Sequence, residues 1–261
     1  MGEVVDNSSR SLDTLFWRRV IRNIESISPR SMNLKVENYI VGPRYSAVKL
    51  AKGKVGIAYS YVMEDMCKPT NRNFVYIGDF IPLFSSNCIV ERALAQAALN
   101  AVGQYYLDET ICMERDLVGD ILGILESNDV VVFIGALKKV PDIYRSKGYR
   151  VYILDRWQSG KDILPDYFSY KILPKAKVVY ITGAAFSRPD IDLVLELSRK
   201  AEYRIEIGPS LTLPPRYLNS TGLTHLETSI ILYPENAFES IKLGQGYHDI
   251  RENLQHVSCK I

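Results

Sequence analysis

The stretch DVVVFIG, Asp129 to Gly135, decides the fold. Its apolar run from Val130 to Ile134 leaves no polar face, which is expected of a strand covered on both sides. The same form returns in YRVYILD (149–155), AKVVYITG (176–183) and YRIEIG (203–208). Between these strands the pattern predicts helices after Lys138, over Asp190 to Lys200 and near Pro214. Upstream, MERDLVGDILGILES (113–127) reads as a helix leading into the first strand. Strand, crossover and strand in succession argue for a Rossmann-like α/β unit with a mainly parallel sheet.

The first part of the chain has a different rhythm. LDTLFWRRVIRNI (12–24) places Phe16, Val20 and Ile24 on one helical face, widened by Trp17 and Ile21, with Arg18, Arg19 and Arg22 toward the other. In YSAVKLAKGKVGIAYSY (45–61) the period becomes two, and a turn at Lys52 and Gly53 makes a hairpin. NFVYIGDF (73–80) reads as a further strand, followed by the polar run Ser85, Ser86 and Asn87. VERALAQAALNAVGQYY (90–106) then forms an alanine-rich helix, small enough in side chain to lie close to a sheet, with Asn100 among its apolar residues. The change from hairpins to crossovers puts a boundary near residues 107 to 113. The expected organisation is an α+β domain over 1–110 and the Rossmann-like domain over 111–261.

Composition narrows the function classes. With 32 basic and 30 acidic side chains the net charge is only +2, so no nucleic-acid partner is expected from charge. There is no apolar run long enough for a membrane span and no secretory pattern at the start, so the cytoplasm is the expected compartment. The four cysteines, Cys67, Cys88, Cys112 and Cys259, show no CxxC spacing; buried free thiols are expected instead of a disulfide framework or zinc site.

Three strands end in glycine, at Gly135, Gly183 and Gly208. In an open parallel sheet such ends form the ligand crevice, and glycine permits a tight turn or a close approach to the main chain. Neither GxGxxG nor GxxxxGK[ST] occurs, which disfavours ordinary NAD or P-loop chemistry. Asp155 ends its strand 20 positions after Gly135, about where dinucleotide folds place a ribose-binding acid. Ser187 and Asp190 have the spacing of a capping box around Pro189, with Asp190 and Asp192 near the helix start. His225 and Glu227 share a strand face, two residues compatible with metal ligation but too few for a site. His248 and His256 fall in a polar C-terminal tail. No nucleophile or general base is named.

Taken together, GALKKVPDIYRSKGYRVYILDR, ILPDYFSYKILPKAKVVYITG and LELSRKAEYRIEIGPSLTLPPRYL resemble the family known as "putative heavy-metal chelation". VGPRYSAVKL, GKVGIAYS and the stretch from SSN to ALAQAALNA resemble its enolase N-terminal-like companion domain. The resemblance implies an enolase-N-terminal-like domain joined to a Rossmann-like one, a site between them, and the handling of a heavy metal or metal-containing ligand. It assigns Thr182 and Gly183 to a TG turn, Gly208, Pro209 and Ser210 to a GPS turn, and Asn87 and Asn100 to polar positions around the alanine-rich helix. The chain departs from the family at GAAFSRPD. Ala184 and Ala185 remove oxygen donors and Arg188 adds a fixed charge, favouring an anionic or chelated ligand over a bare cation.

The leading expectation is therefore binding of a heavy metal, metal chelate or small anion between two domains. The site would comprise Gly135, Thr182, Gly183, Arg188, Gly208, Pro209 and Ser210, with Asn87 and Asn100 nearby. A metal ion or chelate is the expected cofactor, and a homo-oligomer is compatible with the sequence. The alternatives are an enzyme acting on a nucleotide-like or cofactor-like molecule through Asp155, and a non-catalytic assembly protein.

Overall fold

A computed structural model describes residues 14–64, 67–69, 72–107, 112 and 116–261. The boundary expected at 110/111 lies outside these residues, as do the starts of the helices read from Leu12 and Met113.

The described residues begin with α1 (Leu15–Ile27), capped by Thr14, followed by an antiparallel sheet of β1 (Val36–Val41), β2 (Tyr45–Leu50) and β3 (Val55–Tyr59). The hairpin was expected; β1 was not, because its residues are mostly exposed or half-buried and lack a clean alternation. NFVYIGDF is not a strand. It makes one bridge, Lys35 to Tyr76, and continues into a 3-10 helix, Ile77–Ser85. The Asp79 carboxylate accepts the Val75 and Tyr76 amides and closes the turn. Ile77, Phe80 and Leu83 are buried at a spacing of three, the period of a 3-10 helix.

The alanine-rich segment forms α2 (Ile89–Tyr106), buried through Gln104 on every side and not on one stripe alone. It lies against β2, β3 and the 3-10 helix. The approach is close: a Cβ on Gly56 of β3 would overlap the α2 backbone at Ala97 and Ala101.

After α3 (Leu117–Leu122) come β4 (Val130–Ile134), α4 (Lys139–Ser146), β5 (Arg150–Asp155), β6 (Ile163–Pro165), α5 (Ser169–Ile172), β7 (Val178–Thr182), α6 (Ile191–Leu197), β8 (Tyr203–Ile207) and β9 (His225–Ile231). The chain ends through α7 (Pro234–Lys242), α8 (Tyr247–Ile250) and β10 (Leu254–Lys260). What the sequence suggested as a polar tail is thus a helix and an edge strand, β10 pairing antiparallel with β9. The large sheet has the order β10-β9-β8-β7-β4-β5-β6, with β4 through β9 parallel. The chain runs outward from β4 to β6, then returns to β7 on the other side of β4, so the strand order reverses between β4 and β7.

One sheet face buries Val131, Phe133 and Tyr180 under α3 and α4; the other buries Val132, Ile134 and Ile181 in a core shared with α1, α2 and α6. Helix α1 packs on its own chain, with Trp17 fully buried, stacked on Phe84 at 4.4 Å and donating Nε1–H to the Phe186 carbonyl at 2.7 Å. The cysteines are not free thiols: Cys67 pairs with Cys88 and Cys112 with Cys259, across separations of 21 and 147 residues. Folding brings their Cα atoms to 5.5 and 4.7 Å, a juxtaposition without a local sequence signature. Among the described residues no helix is long and apolar enough to cross a membrane.

Candidate functional site

Strands β8, β7, β4 and β5 are consecutive in the sheet, so Gly208, Gly183, Gly135 and Asp155 stand in that order along its carboxyl edge. The glycines have different physical causes. Gly135 and Gly208 take φ of +102° and +114°, where a side chain would be strained. Gly183 is needed because the protein itself packs against it: a Cβ would lie 2.6 Å from Glu206 Oε1 and 2.9 Å from the Leu211 amide.

Two neighbouring cavities open at this edge. The smaller, about 170 Å³, lies where the strand order reverses and is walled by Tyr61, Glu64, Gly135, Asp155, Trp157 and Arg188. The larger, about 580 Å³, is walled by Gly183, Gly208, Pro209, Ser210 and the start of α4. Tyr59, Thr182 and Ala184 line both. Tyr59 and Tyr61 come from the end of the hairpin, so chain segments far apart in sequence meet here. The phenols of Tyr45, Tyr59 and Tyr61 are held well above their usual pKa, chiefly by burial, so they stay protonated at neutral pH.

The loops carrying these tips are held by a polar ladder on α2 that sequence reading found only at Asn100. Arg92, Gln96, Asn100 and Gln104 recur every fourth residue, which stacks them along one side of the helix. Arg92 Nε donates to the Ser187 carbonyl at 2.7 Å, and Gln96 Nε2 to those of Gly183 at 2.7 Å and Ser210. Asn100 Nδ2 donates to the carbonyls of Ile57 and Ser210, both at 2.7 Å, while its Oδ1 accepts the Thr212 amide. Gln104 bridges the Ser229 carbonyl and Ile231 amide on β9. The signal was a four-residue polar period inside an apolar helix. Asn100 is fully buried and lines neither cavity; Asn87 is exposed and lines neither.

Arg188 does face the smaller cavity, but its charge is already matched. It contacts Asp190 at 2.5 Å and Asp166 at 2.9 Å, and Arg156 binds the same two carboxylates at 2.7 and 2.6 Å. Burial works to raise the Asp190 pKa, yet the Arg188 hydrogen bond and charge outweigh it and hold the carboxyl below its usual value. The expected capping box is absent: Ser187 is buried and donates to Gln96 Oε1, and Asp190 makes no side-chain cap. Asp192 instead accepts the Leu15 and Phe16 amides at the start of α1. Asp155 accepts the Ala136, Trp157 and Gln158 amides at 2.7–2.9 Å, so it ties the β4 and β5 loops together.

Behind Gly183 lies a group the sequence did not single out. Glu206 is fully buried, and neither of its oxygens has a hydrogen-bond partner among the described residues. Burial, aided by the nearby Glu227 charge, raises its pKa well above the ordinary carboxylate value. Glu227 is paired: its carboxylate meets His256 Nε2 at 2.6 Å and accepts from Ser258 Oγ, while His225 turns to Thr224. His225 and Glu227 therefore do not act as a ligand pair here.

Fold and site together define an α/β protein whose mostly parallel seven-stranded sheet, with a small antiparallel sheet beside it, opens cavities at its carboxyl edge. Residues 120–260 match the DUF364 family and residues 24–103 the DUF4213 family, both described as "Putative heavy-metal chelation". The chain belongs to the DUF364 family. It is 28% identical over 248 residues to an uncharacterized protein of Methanocaldococcus jannaschii, covering 85% of this chain and 92% of the relative. A DUF364-family protein of unknown function from Pyrococcus horikoshii has a similar crystal structure, with TM-score 0.81 and 24% identity over 95% of this chain and 100% of the other. Another, from Desulfitobacterium hafniense, gives TM-score 0.75 and 20% identity over 94% and 99%. These likenesses establish the fold.

Proposed function

We propose that the chain binds a small anionic ligand or metal chelate in the paired cavities where its amino-terminal half, 1–110, meets its Rossmann-like carboxyl-terminal half, 111–261. The enolase N-terminal-like reading of the first half belongs to the same proposal, as does a cytoplasmic location. The supporting observation is the shared wall: Tyr59 from the hairpin and Thr182 and Ala184 from the β7 loop line both cavities. Thr182 and Ser210 supply hydroxyls, and Arg188 presents a guanidinium edge held in place by Asp166 and Asp190.

The family description points to a heavy metal, and the donor set tests that idea. Soft metals favour thiolate and thioether ligands, and borderline metals such as zinc also take imidazole. Among the described residues every cysteine is in a disulfide, and no three His, Cys, Asp or Glu side chains are grouped to hold a metal. These residues do not fit a bare heavy-metal ion. A metal that brings its own donors needs only a cavity, polar contacts and charge balance.

Calorimetry with zinc chloride and with zinc pyridine-2,6-dicarboxylate, supported by elemental analysis of the purified protein, tests this. The chelate should bind stoichiometrically and the salt weakly, and Ala184→Phe, which obstructs both cavities, should weaken the chelate about tenfold or more. Equal binding of salt and chelate, unchanged in Ala184→Phe, would contradict the proposal.

A further inference from the structure

The walls of the larger cavity are selective in charge. Among the described residues, Lys138, Lys139, His248 and His256 line it, and no carboxylate does. Of the two acids behind this wall, Glu206 is fully buried beneath Gly183, and Glu227 meets His256 and accepts from Ser258. Lys138 and Lys139 form no ion pair among the described residues, and an adjoining recess of about 320 Å³ adds Arg44. The one acid among the described residues of that recess, Asp249, accepts the Gly246 amide. A concave surface with charges of one sign focuses potential and attracts the opposite charge.

The rest of the wall is largely apolar and aromatic. Tyr45, Tyr59 and Tyr247 line both the cavity and the recess, and Ile207, Pro209 and Leu137 complete the apolar surface. Rings of this kind favour flat partners by stacking or edge contacts. A simple inorganic anion would leave this surface unused, and a neutral aromatic would leave the lysines unmatched.

We infer that the larger cavity takes an organic oxyanion, with a flat apolar body against Tyr45, Tyr59 and Tyr247 and a carboxylate or phosphate held by Lys138 and Lys139. This assignment rests on the cavity being the ligand site and narrows that site's ligand to a chemical class. A metal chelate would qualify when its organic part has this form.

Three probes of one body separate the possibilities: 2-naphthoate, 2-naphthyl phosphate and the neutral 2-naphthamide, each titrated by calorimetry into the whole chain. At least one anion should bind about tenfold tighter than the amide, with the preference reduced by salt. Whichever anion is preferred distinguishes carboxylate from phosphate. Lys138→Ala/Lys139→Ala should abolish the preference while leaving the unfolding midpoint unchanged, since both lysines are exposed. Amide binding equal to that of both anions, or a preference that survives in the double variant, overturns the oxyanion assignment but leaves the cavity as a ligand site. Binding of all three probes unaffected by Ala184→Phe overturns the cavity reading itself.

Discussion

At Glu206 a carboxyl group lies fully buried without a hydrogen-bond partner among the described residues, beneath the turn that Gly183 makes. Its raised pKa means that the folded chain holds this proton more tightly than the unfolded chain, whose carboxyl keeps the ordinary value near 4.5. The group's contribution is therefore fully present below that value and is lost as pH rises toward the folded pKa, at about 1.4 kcal/mol per pH unit. Glu206→Gln removes this titration. Urea unfolding should show the variant gaining on the wild type between pH 4.5 and 7; an equal difference at both pH values would contradict a buried neutral acid. Arg188 has the opposite sign through its partner. Asp190, held below its usual pKa, contributes stability above the ordinary value of 3.8 and loses it as pH falls through the folded value. Among the described residues, Arg188→Ala leaves Asp166 and Asp190 paired with the more exposed Arg156 alone, and should cost roughly 3 kcal/mol at pH 7. That penalty should shrink in acid, as measured by the same unfolding series. Loss of ligand in this variant would consequently report on the scaffold as well as on charge.

Helix α2 decides how the site is supported, because its ladder at Arg92, Gln96, Asn100 and Gln104 reaches carbonyls in the β7 and β8 loops and on β9. Asn100→Leu should cost about 1–3 kcal/mol by stranding the partners of its amide. It should also speed hydrogen exchange at the Thr212 amide, which Asn100 Oδ1 accepts; unchanged exchange there would remove the ladder's role in fixing the loop. Much of the element pattern was legible in the sequence. The runs at Val130–Ile134 and Val178–Thr182 are apolar because both sheet faces are covered, and the 45–61 hairpin is marked by its turn at Lys52 and Gly53, although both faces of its strands are largely buried. The 3-10 helix at Ile77–Ser85 was misread because Phe74, Tyr76 and Phe80 resemble strand residues when the spacing of three is overlooked. β10 was missed because its polar residues pair only on the β9 side of an edge strand. The candidate site was legible as strand ends, since parallel neighbours bring their tips together. The partners of Arg188 and Asn100 were not, since Asp166 and Ser210 reach them only through the tertiary fold.

Across the whole molecule, one core runs from Trp17 through Leu94 to Val132 and Tyr217, so the segment carrying Tyr59 is joined to the sheet by packing as well as by chain. The Cys112–Cys259 bridge closes a span of 147 residues. Reduction, or Cys259→Ser, should lower unfolding stability by about 2–5 kcal/mol, read from the shift in denaturation midpoint. An unchanged midpoint would show that the bridge does not constrain the unfolded chain. The central claim is that the tips of β4, β7 and β8 and the Tyr59 hairpin enclose one ligand region. A crystal structure of the chain grown with 2-naphthyl phosphate and zinc pyridine-2,6-dicarboxylate in separate drops tests it most directly. The account predicts density for at least one of them in contact with Tyr59, Thr182 and Ala184; cavities filled by side chains, or ligands bound only elsewhere on the surface, would contradict it.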